Sequence, residues 1–370
     1  MTSLSFTGDV AFTKYFQDHW QQDFLDERIY DFLNSSDHVI ANVECPISSA
    51  PVSSKMGAGG SSDPQAGDWF PTVSADIWSL ANNHVLDCGE SGMLDTIRSA
   101  HRNGATTVGA GRNIDEAANY VSLGRDGGIG VFALTYKKAE VFRASEDTPG
   151  CIFFDETEKI QNTIEEIKRK HRWCIIIAHG GDAFSHLPLP YMRKLYRSFL
   201  KMGADIVVAH HPHVVQNYEK VGNKMIFYSL GNFVYDTDQQ RQQKHTEYGI
   251  LLKLRMTKDK FTWEYLPTRI NREKQTVETC QAPPVFCDIS DRDYRRLWPL
   301  AAQKYSQSFI LAKTATVTKA QIYTRRQRFE LHAETIGLKN ALCLYRGKLI
   351  SKLNIWKRAS SDLRDYIAEG

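Results

Sequence analysis

Three imidazoles stand within four positions at His210-His211-Pro212-His213, directly after the apolar run Ala204-Asp205-Ile206-Val207-Val208-Ala209. The run reads as a buried strand that delivers its carboxyl end to a site. His211 and His213 are two apart, and on an extended backbone that spacing sends both rings to one side. Two neutral imidazoles converging on one point suit a transition metal. The same grammar, a short strand ending in a polar ligand type, recurs along the chain. Leu4-Ser5-Phe6-Thr7-Gly8-Asp9-Val10 carries Asp9, His38-Val39-Ile40-Ala41-Asn42-Val43-Glu44 carries Glu44, and Asp76-Ile77-Trp78-Ser79-Leu80-Ala81-Asn82-Asn83-His84 ends in an amide and an imidazole. Trp173-Cys174-Ile175-Ile176-Ile177-Ala178 leads into His179-Gly180-Gly181-Asp182.

Open α/β folds gather their sites at the carboxyl ends of strands, so these groups are candidates for one centre. Asp9, Glu44, Asn83, His179, His211 and His213 offer carboxylate, amide and imidazole donors, a set suited to Mn, Zn or Fe rather than Ca. Six donors exceed the needs of one tetrahedral ion, so one or two divalent ions are expected, the pair bridged by Glu44. His84 follows Asn83 and stands where a proton-transfer group belongs. His210 and Asp182 complete the catalytic candidates. Arg112, in Gly109-Ala110-Gly111-Arg112-Asn113, and Asn232, after Met225-Ile226-Phe227-Tyr228-Ser229-Leu230-Gly231, are candidates for substrate contact. Arg112 reads equally well as a surface residue, and Asn232 equally well as a buttress for the ligands. The lone Gly-x-Gly lacks a third glycine and an acidic partner, which argues against a dinucleotide site.

The elements that must position these groups alternate between strand and helix. Helices are expected within 14–34, from Met93 to Asn103, from Ile160 to Lys170 and from Pro190 to Met202, and short strands at Thr106-Thr107-Val108 and Gly130-Val131-Phe132-Ala133-Leu134. Gly249 to Met256 and Phe261 to Leu266 read as a hairpin across Thr257-Lys258-Asp259-Lys260. The Ser-, Gly- and Pro-rich stretch from Ser48 to Gly67 reads as a loop over the site that adds nothing to the core.

The 370 residues, 42% of them hydrophobic, suffice for one large domain over 1–270 and a basic extension over 285–370. That extension holds 16 Lys and Arg against 8 Asp and Glu, while the rest of the chain is near −5. With Arg325, Arg326 and Arg328 bunched and Lys357-Arg358 following later, it reads as a solvated basic helical face rather than a nucleic-acid surface. Phe309 to Ala312 and Leu338 to Leu344 carry apolar groups for docking on the core, on a polymeric substrate or on a second copy as a homodimer. Seven scattered cysteines without a CxxC pair fit a reducing compartment. No apolar run reaches 18 residues and the first residues lack a basic-then-apolar leader, so no membrane span is expected and a cytoplasmic location is the default.

The strings Gly8-Asp9, Asn42-Val43-Glu44, Ala81-Asn82-Asn83-His84 with Asp87 and Gly89, Gly109 to Asn113, His179-Gly180-Gly181-Asp182, His210 to Val214 and Tyr228-Ser229-Leu230-Gly231-Asn232-Phe233 resemble, in that order, the CapA family of capsule and poly-gamma-glutamate synthesis proteins. That family lies within the calcineurin-like metallophosphoesterase superfamily, and the likeness covers roughly residues 4 to 266. The resemblance implies an α/β four-layer core, β-sheets packed between helices, with metal ligands at Asp9, Glu44, Asn83, His179, His211 and His213. It matches His84 to the histidine that protonates a leaving group in the phosphoesterases. Where the wider superfamily has Asp-x-His, this chain has Asp9-Val10-Ala11, so one metal position loses an imidazole. The expected activity is metal-dependent hydrolysis of a phosphoester, or of a peptide or polyglutamate amide. The alternatives are a peptide epimerase, with His84 and His210 moving an α-proton, and a non-catalytic subunit of a capsule or poly-gamma-glutamate machine.

Overall fold

The computed structural model describes residues 1–52, 60–124, 128–136 and 142–299, with 301, 363, 366 and 367. In chain order the elements are β1 (Thr2–Val10), α1 (Glu27–Asn34), β2 (His38–Val43), β3 (Ala75–Ser79), α2 (Gly89–Arg102), β4 (Thr106–Val108) and α3 (Ile114–Ala117). Then come β5 (Val121–Leu123), β6 (Ile129–Thr135), α4 (Thr157–Lys170), β7 (Trp173–His179), α5 (Pro190–Met202), β8 (Ile206–His210), β9 (Tyr218–Val221) and β10 (Lys224–Phe227). The described elements end with β11 (Asn232–Val234), α6 (Asp238–Arg241), β12 (Tyr248–Met256), β13 (Phe261–Asn271) and β14 (Thr276–Thr279), followed by a helix over 291–299.

Among the described residues these strands build two sheets. One runs β14-β13-β12-β1-β2-β3-β4, with β11 joined to the carboxyl end of β1, and the other runs β5-β6-β7-β8-β10-β9. β1 to β4 are parallel, as are β6, β7, β8 and β10. The two-residue strand period decides the layers. On β7, Trp173, Ile175 and Ile177 face the first sheet, whereas Cys174, Ile176 and Ala178 pack on Ile160, Ile164 and Ile167 of α4 and on Met192, Tyr196 and Phe199 of α5. Those helix residues recur at three and four positions, the spacing of one buried face. On the far side of the first sheet lie α1, α2 and a 3-10 segment, Ala66–Val73. The order helix, sheet, sheet, helix is the four-layer α/β core expected.

Several local expectations change. Within 14–34, where one helix or two short ones are expected, two short 3-10 turns precede the single helix α1. The stretch 48–67 is not an open loop at its described ends. Ser48 and Ser62 are buried, the Ser62 N–H donates to the Pro46 carbonyl at 2.8 Å, and Phe12 N–H donates to Ser62 Oγ at 3.1 Å. Residues 53–59 lie outside the described residues. β10 ends at Phe227, and the chain crosses to the other sheet at Asn232. Leu230 stitches the two, donating to the Ala209 carbonyl and accepting from Ile250 N–H.

The crossing brings β11 against β1, and Gly8 is where they meet. A Cβ at Gly8 would overlap the Gly231 carbonyl oxygen, a rigid backbone atom. Gly8→Ala is therefore expected to destabilise the fold by about 3 kcal/mol through overpacking and to displace neighbouring Asp9. Denaturant unfolding and metal content of the same variant check both effects.

The start of the basic extension packs on the core. Val285, Phe286, Tyr294 and Leu297 are buried, and the Tyr294 hydroxyl donates to the Pro188 carbonyl. Tyr366 stacks on His245 at 4.0 Å between ring centroids, and His245 lies 3.0 Å from His186, nitrogen to nitrogen. Arg325, Arg326, Arg328, Lys357, Arg358 and the stretches 309–312 and 338–344 lie outside the described residues. Among the described residues, no helix is long and apolar enough to cross a membrane.

Burial and the neighbouring His245 hold the His186 imidazole down, at about 3. Unfolded, it takes a proton near 6.5; folded, it resists until about 3. Its stabilising contribution is therefore present above pH 6.5 and is lost as pH falls toward 3, by an amount on the order of 5 kcal/mol. The stability difference between wild type and His186→Phe, measured by urea unfolding, is expected to shrink steadily between pH 6.5 and 4. A difference that stays constant with pH would contradict this.

Candidate metal centre

Parallel pairing aligns Asp9 on β1 with Asn42 on β2, and Asn42 and Glu44 share a face by the two-residue period. The Asn42 amide donates to Asp9 Oδ1 at 2.8 Å and to Glu44 Oε2 at 3.1 Å. One oxygen of each carboxylate is thereby held. Of the other two, Asp9 Oδ2 faces His213 Nδ1 at 3.0 Å, and Glu44 Oε1 is buried without a hydrogen bond. Imidazoles gather on Glu44 Oε1: the Nε2 atoms of His179, His84 and His213 lie 3.4, 3.9 and 4.0 Å away. His179 is the last residue of β7 and its Nε2 also lies 2.9 Å from Asn83 Oδ1.

His211 and His213 reach the centre differently from the extended spacing expected. β8 stops at His210, and His211 and His213 have φ of 96° and 56° on either side of Pro212. Left-handed backbone at two non-glycine residues is costly and persists only where surrounding contacts enforce it. The tight turn still brings the rings together, 5.7 Å apart, with His211 5.1 Å from His179. Tyr136, Tyr235 and Phe184 wall them, with ring centroids 4.7 Å from His211 and 5.2 and 6.0 Å from His213.

Charge is concentrated and buried here. Burial raises the Asp9 carboxyl, but the imidazoles of His210 and His213 outweigh it and hold its pKa well below the carboxylate range. Burial and the Asp9 charge push Glu44 up to about 7. Burial keeps His179 and His211 neutral, well below the ordinary imidazole value. Burial lowers His213 too, but contact with Asp9 more than reverses it.

Two groups of three have donor atoms within 4.8 Å of one another: Glu44, His211 and His213, and Asp9, Glu44 and His179. Glu44 belongs to both. Buried acceptor atoms without hydrogen-bond partners, Glu44 Oε1 and His211 Nδ1 among them, are the signature of residues arranged for a cation. Neutral imidazoles with carboxylate and amide oxygens fit a divalent transition metal. At the edge of the cluster, His84 Nδ1 lies 2.5 Å from Asp87 Oδ2 while Nε2 faces Glu44. The carboxylate fixes which ring nitrogen carries the proton and where the other points.

A model of the bacterial capsule synthesis protein PGA_cap family matches residues 3–237, well over half of the chain. The chain belongs to that family. The matched span contains every residue of the cluster. The chain is 29% identical to the PGA biosynthesis protein CapA of Bacillus subtilis over 245 residues, 63% of each chain. It is 28% identical to the capsule biosynthesis protein CapA of Bacillus anthracis over 248 residues, 63% of this chain and 60% of that one. It thus spans about three-fifths of the length of these curated relatives. Among solved structures, it is similar to a hypothetical protein from Thermus thermophilus with TM-score 0.45 and 13% identity, over 72% of this chain and 99% of that one. It is also similar to the Haemophilus influenzae NAD nucleotidase NadN with TM-score 0.43 and 10% identity, over 83% and 60%.

Other candidates in this PGA_cap family member stand apart from the cluster or behind it. His210 is buried with Nδ1 3.4 Å from Asp9 Oδ1, behind the ligands. Asp182 accepts from the Tyr191 hydroxyl at 2.6 Å, which ties it to the first turn of α5. Arg112 does not reach the centre. It is exposed and pairs with Glu116 at 2.6 Å across one turn of α3. Asn232 buttresses the cluster. Its Oδ1 lies 3.1 Å from His213 Nδ1, and its amide donates to Gln240 Oε1 and the Thr246 carbonyl. Asn42 and Asp87 were missed as site residues. Asn42 had a signal, since it is two before Glu44 on the same strand. Asp87 stands in the string that runs from Ala81 to Gly89, but its contact with His84 forms only where the chain curls between β3 and α2.

Proposed function

We propose that this chain is a metal-dependent hydrolase that cleaves amide bonds in a γ-glutamyl chain. The observation that carries the reading is the convergence of His179, His84 and His213 on Glu44 Oε1, with Asp87 aiming His84. The substrate class is carried over from the PGA biosynthesis and capsule biosynthesis names of its relatives, with PGA taken as poly-gamma-glutamate. Asp9, Glu44, Asn83, His179, His211 and His213 would hold one or two divalent ions. Bound metal supplies polarisation of a carbonyl or phosphoryl oxygen and a nucleophilic water at neutral pH.

The chain's own groups supply the rest. Asn42 keeps two buried carboxylates side by side without mutual collapse. Tyr136, Tyr235 and Phe184 keep bulk water from the imidazoles, which strengthens every charge interaction inside. Asp87 holds His84 through Nδ1 and aims the ring, so Nε2 is placed to hand a proton to a departing amine. A positioned acid of this kind contributes about 10²–10⁴ in rate.

The test is incubation of the full chain, loaded in turn with Mn, Zn or Fe, with poly-γ-glutamate in ¹⁸O-water. Shorter chains with ¹⁸O in the new carboxyl groups are the expected result. Phosphate release from p-nitrophenyl phosphate, with the polymer intact, would replace the amide reading by a phosphoester one. Solvent deuterium at an α-carbon without cleavage would replace hydrolysis by epimerisation. No turnover of any substrate by metal-loaded protein would overturn the enzyme reading.

A further inference from the structure

The opposite ends of the strands carry a second concavity, built from different chemistry. A cavity of about 420 Å³ lies between the tips of two hairpins. Gly222 and Asn223 of the β9–β10 turn form one lip, and Asp259 and Lys260 of the β12–β13 turn form the other. Trp173, Met225, Phe261 and Trp263 line it. Trp173 begins β7 and His179 ends it, so the cavity and the metal centre lie about 20 Å apart along one strand. They share no lining residue.

The aromatic walls are fixed before any ligand arrives. The Trp173 indole N–H donates to the Thr257 carbonyl at 2.7 Å, and its ring meets Phe261 edge-on at 5.6 Å. Trp263 is wedged between Tyr218 at 4.8 Å and Phe227 at 5.3 Å. Rigid apolar walls spare a ligand the cost of ordering them. The volume lies within the range of small-molecule sites, about 300–1,000 Å³.

The charge around this cavity is unbalanced. Lys220, Lys224 and Lys260 line it against one carboxylate, Asp259. Lys224 is committed, donating to the Leu200 carbonyl at 2.6 Å. The ammonium groups of Lys220 and Lys260 have no ion-pair or hydrogen-bond partner among the described residues. Lysines on an ordinary surface face water on all sides. Here two unpaired ones sit on the rim of a rigid cavity holding two indoles and a phenyl ring.

We propose that this cavity is a binding site for a small organic anion with a flat or apolar body. Lys220 and Lys260 hold the acid group, and the body lies against Trp263 and Phe261. A phosphonate or phosphate head and a carboxylate head satisfy the same lysines. The site is independent of the hydrolase reading, because none of its residues belongs to the metal centre.

The experiment is calorimetric titration of the full chain, with tryptophan fluorescence read in parallel, using phenylphosphonate, phenylacetate and uncharged benzyl alcohol. One anion is expected to bind at one site per chain, with quenching, while benzyl alcohol does not. The better of the two anions identifies the head group. In the Lys220→Glu, Lys260→Glu double variant, affinity is expected to fall by about tenfold or more with metal content unchanged. Both lysines are exposed, so the variant should fold, and circular dichroism confirms it. Anion binding that survives the double variant, or no binding of either anion by wild type, overturns the proposal. Loss of activity toward poly-γ-glutamate would bear on the hydrolase alone.

Discussion

The Glu44→Gln variant is expected to lose divalent metal and, at the same time, to fold more stably without it. Glu44 Oε1 is the point on which three imidazoles converge, and its carboxylate is common to both groups of candidate ligands. An amide keeps the shape but removes the charge, and it can turn N–H groups toward the imidazoles. Partners one step removed from a metal already cost about 10–100-fold in affinity when changed, so the shared ligand itself should cost at least about 100-fold. Chelator competition on wild type and variant measures it. The metal-free protein should behave in the opposite sense. Burial and Asp9 raise the Glu44 carboxyl to about 7, above its ordinary 4.5. Its contribution to stability is present below pH 4.5 and is lost as pH rises through 7, at a cost on the order of 3 kcal/mol. The variant never forms the buried anion and escapes that loss. Urea unfolding of both metal-free proteins at pH 8 should therefore favour Glu44→Gln. A variant that keeps its metal, or that is less stable when metal-free at pH 8, would contradict this account of the centre.

His84→Asn should leave metal content intact and lower kcat by about 10²–10⁴ on whichever substrate the protein turns over. His84 stands beside the ligands, with Nε2 3.9 Å from Glu44 Oε1, and its ring is held from the other side by Asp87. Asp87→Asn should lower kcat as well, because an amide no longer secures the ring's tautomer and aim. The double variant should be little worse than His84→Asn, since Asp87 acts only through the ring. Additive losses, or loss of metal in His84→Asn, would move His84 out of the proton-transfer role and into the ligand set.

What the sequence determined by itself is local. Strand period and apolar runs place β1, β2, β7 and β8, and the residue that follows each run is a group able to bind metal. Those features depend on neighbours two to four positions away, which is the range over which backbone and side-chain preferences act. The helical face of α4 is legible for the same reason.

Tertiary structure decided which of these groups meet. Asp9 and His213 are 204 positions apart, and only the parallel order of two sheets, tied at Leu230, brings Oδ2 of one within 3.0 Å of Nδ1 of the other. Arg112 reads in sequence as either a substrate contact or a surface residue, and the start of α3 offers it Glu116 and holds it at the surface. Asn232 turns inward because Gln240 and Thr246 are there to receive its amide. The backbone at His211 and His213 is left-handed, which their local sequence disfavours. Packing against Tyr136, Tyr235 and His179 supplies what the local chain could not. Spacing alone therefore names the donors, whereas sheet order and long-range packing choose their partners, because those energies arise between segments with no fixed separation in sequence.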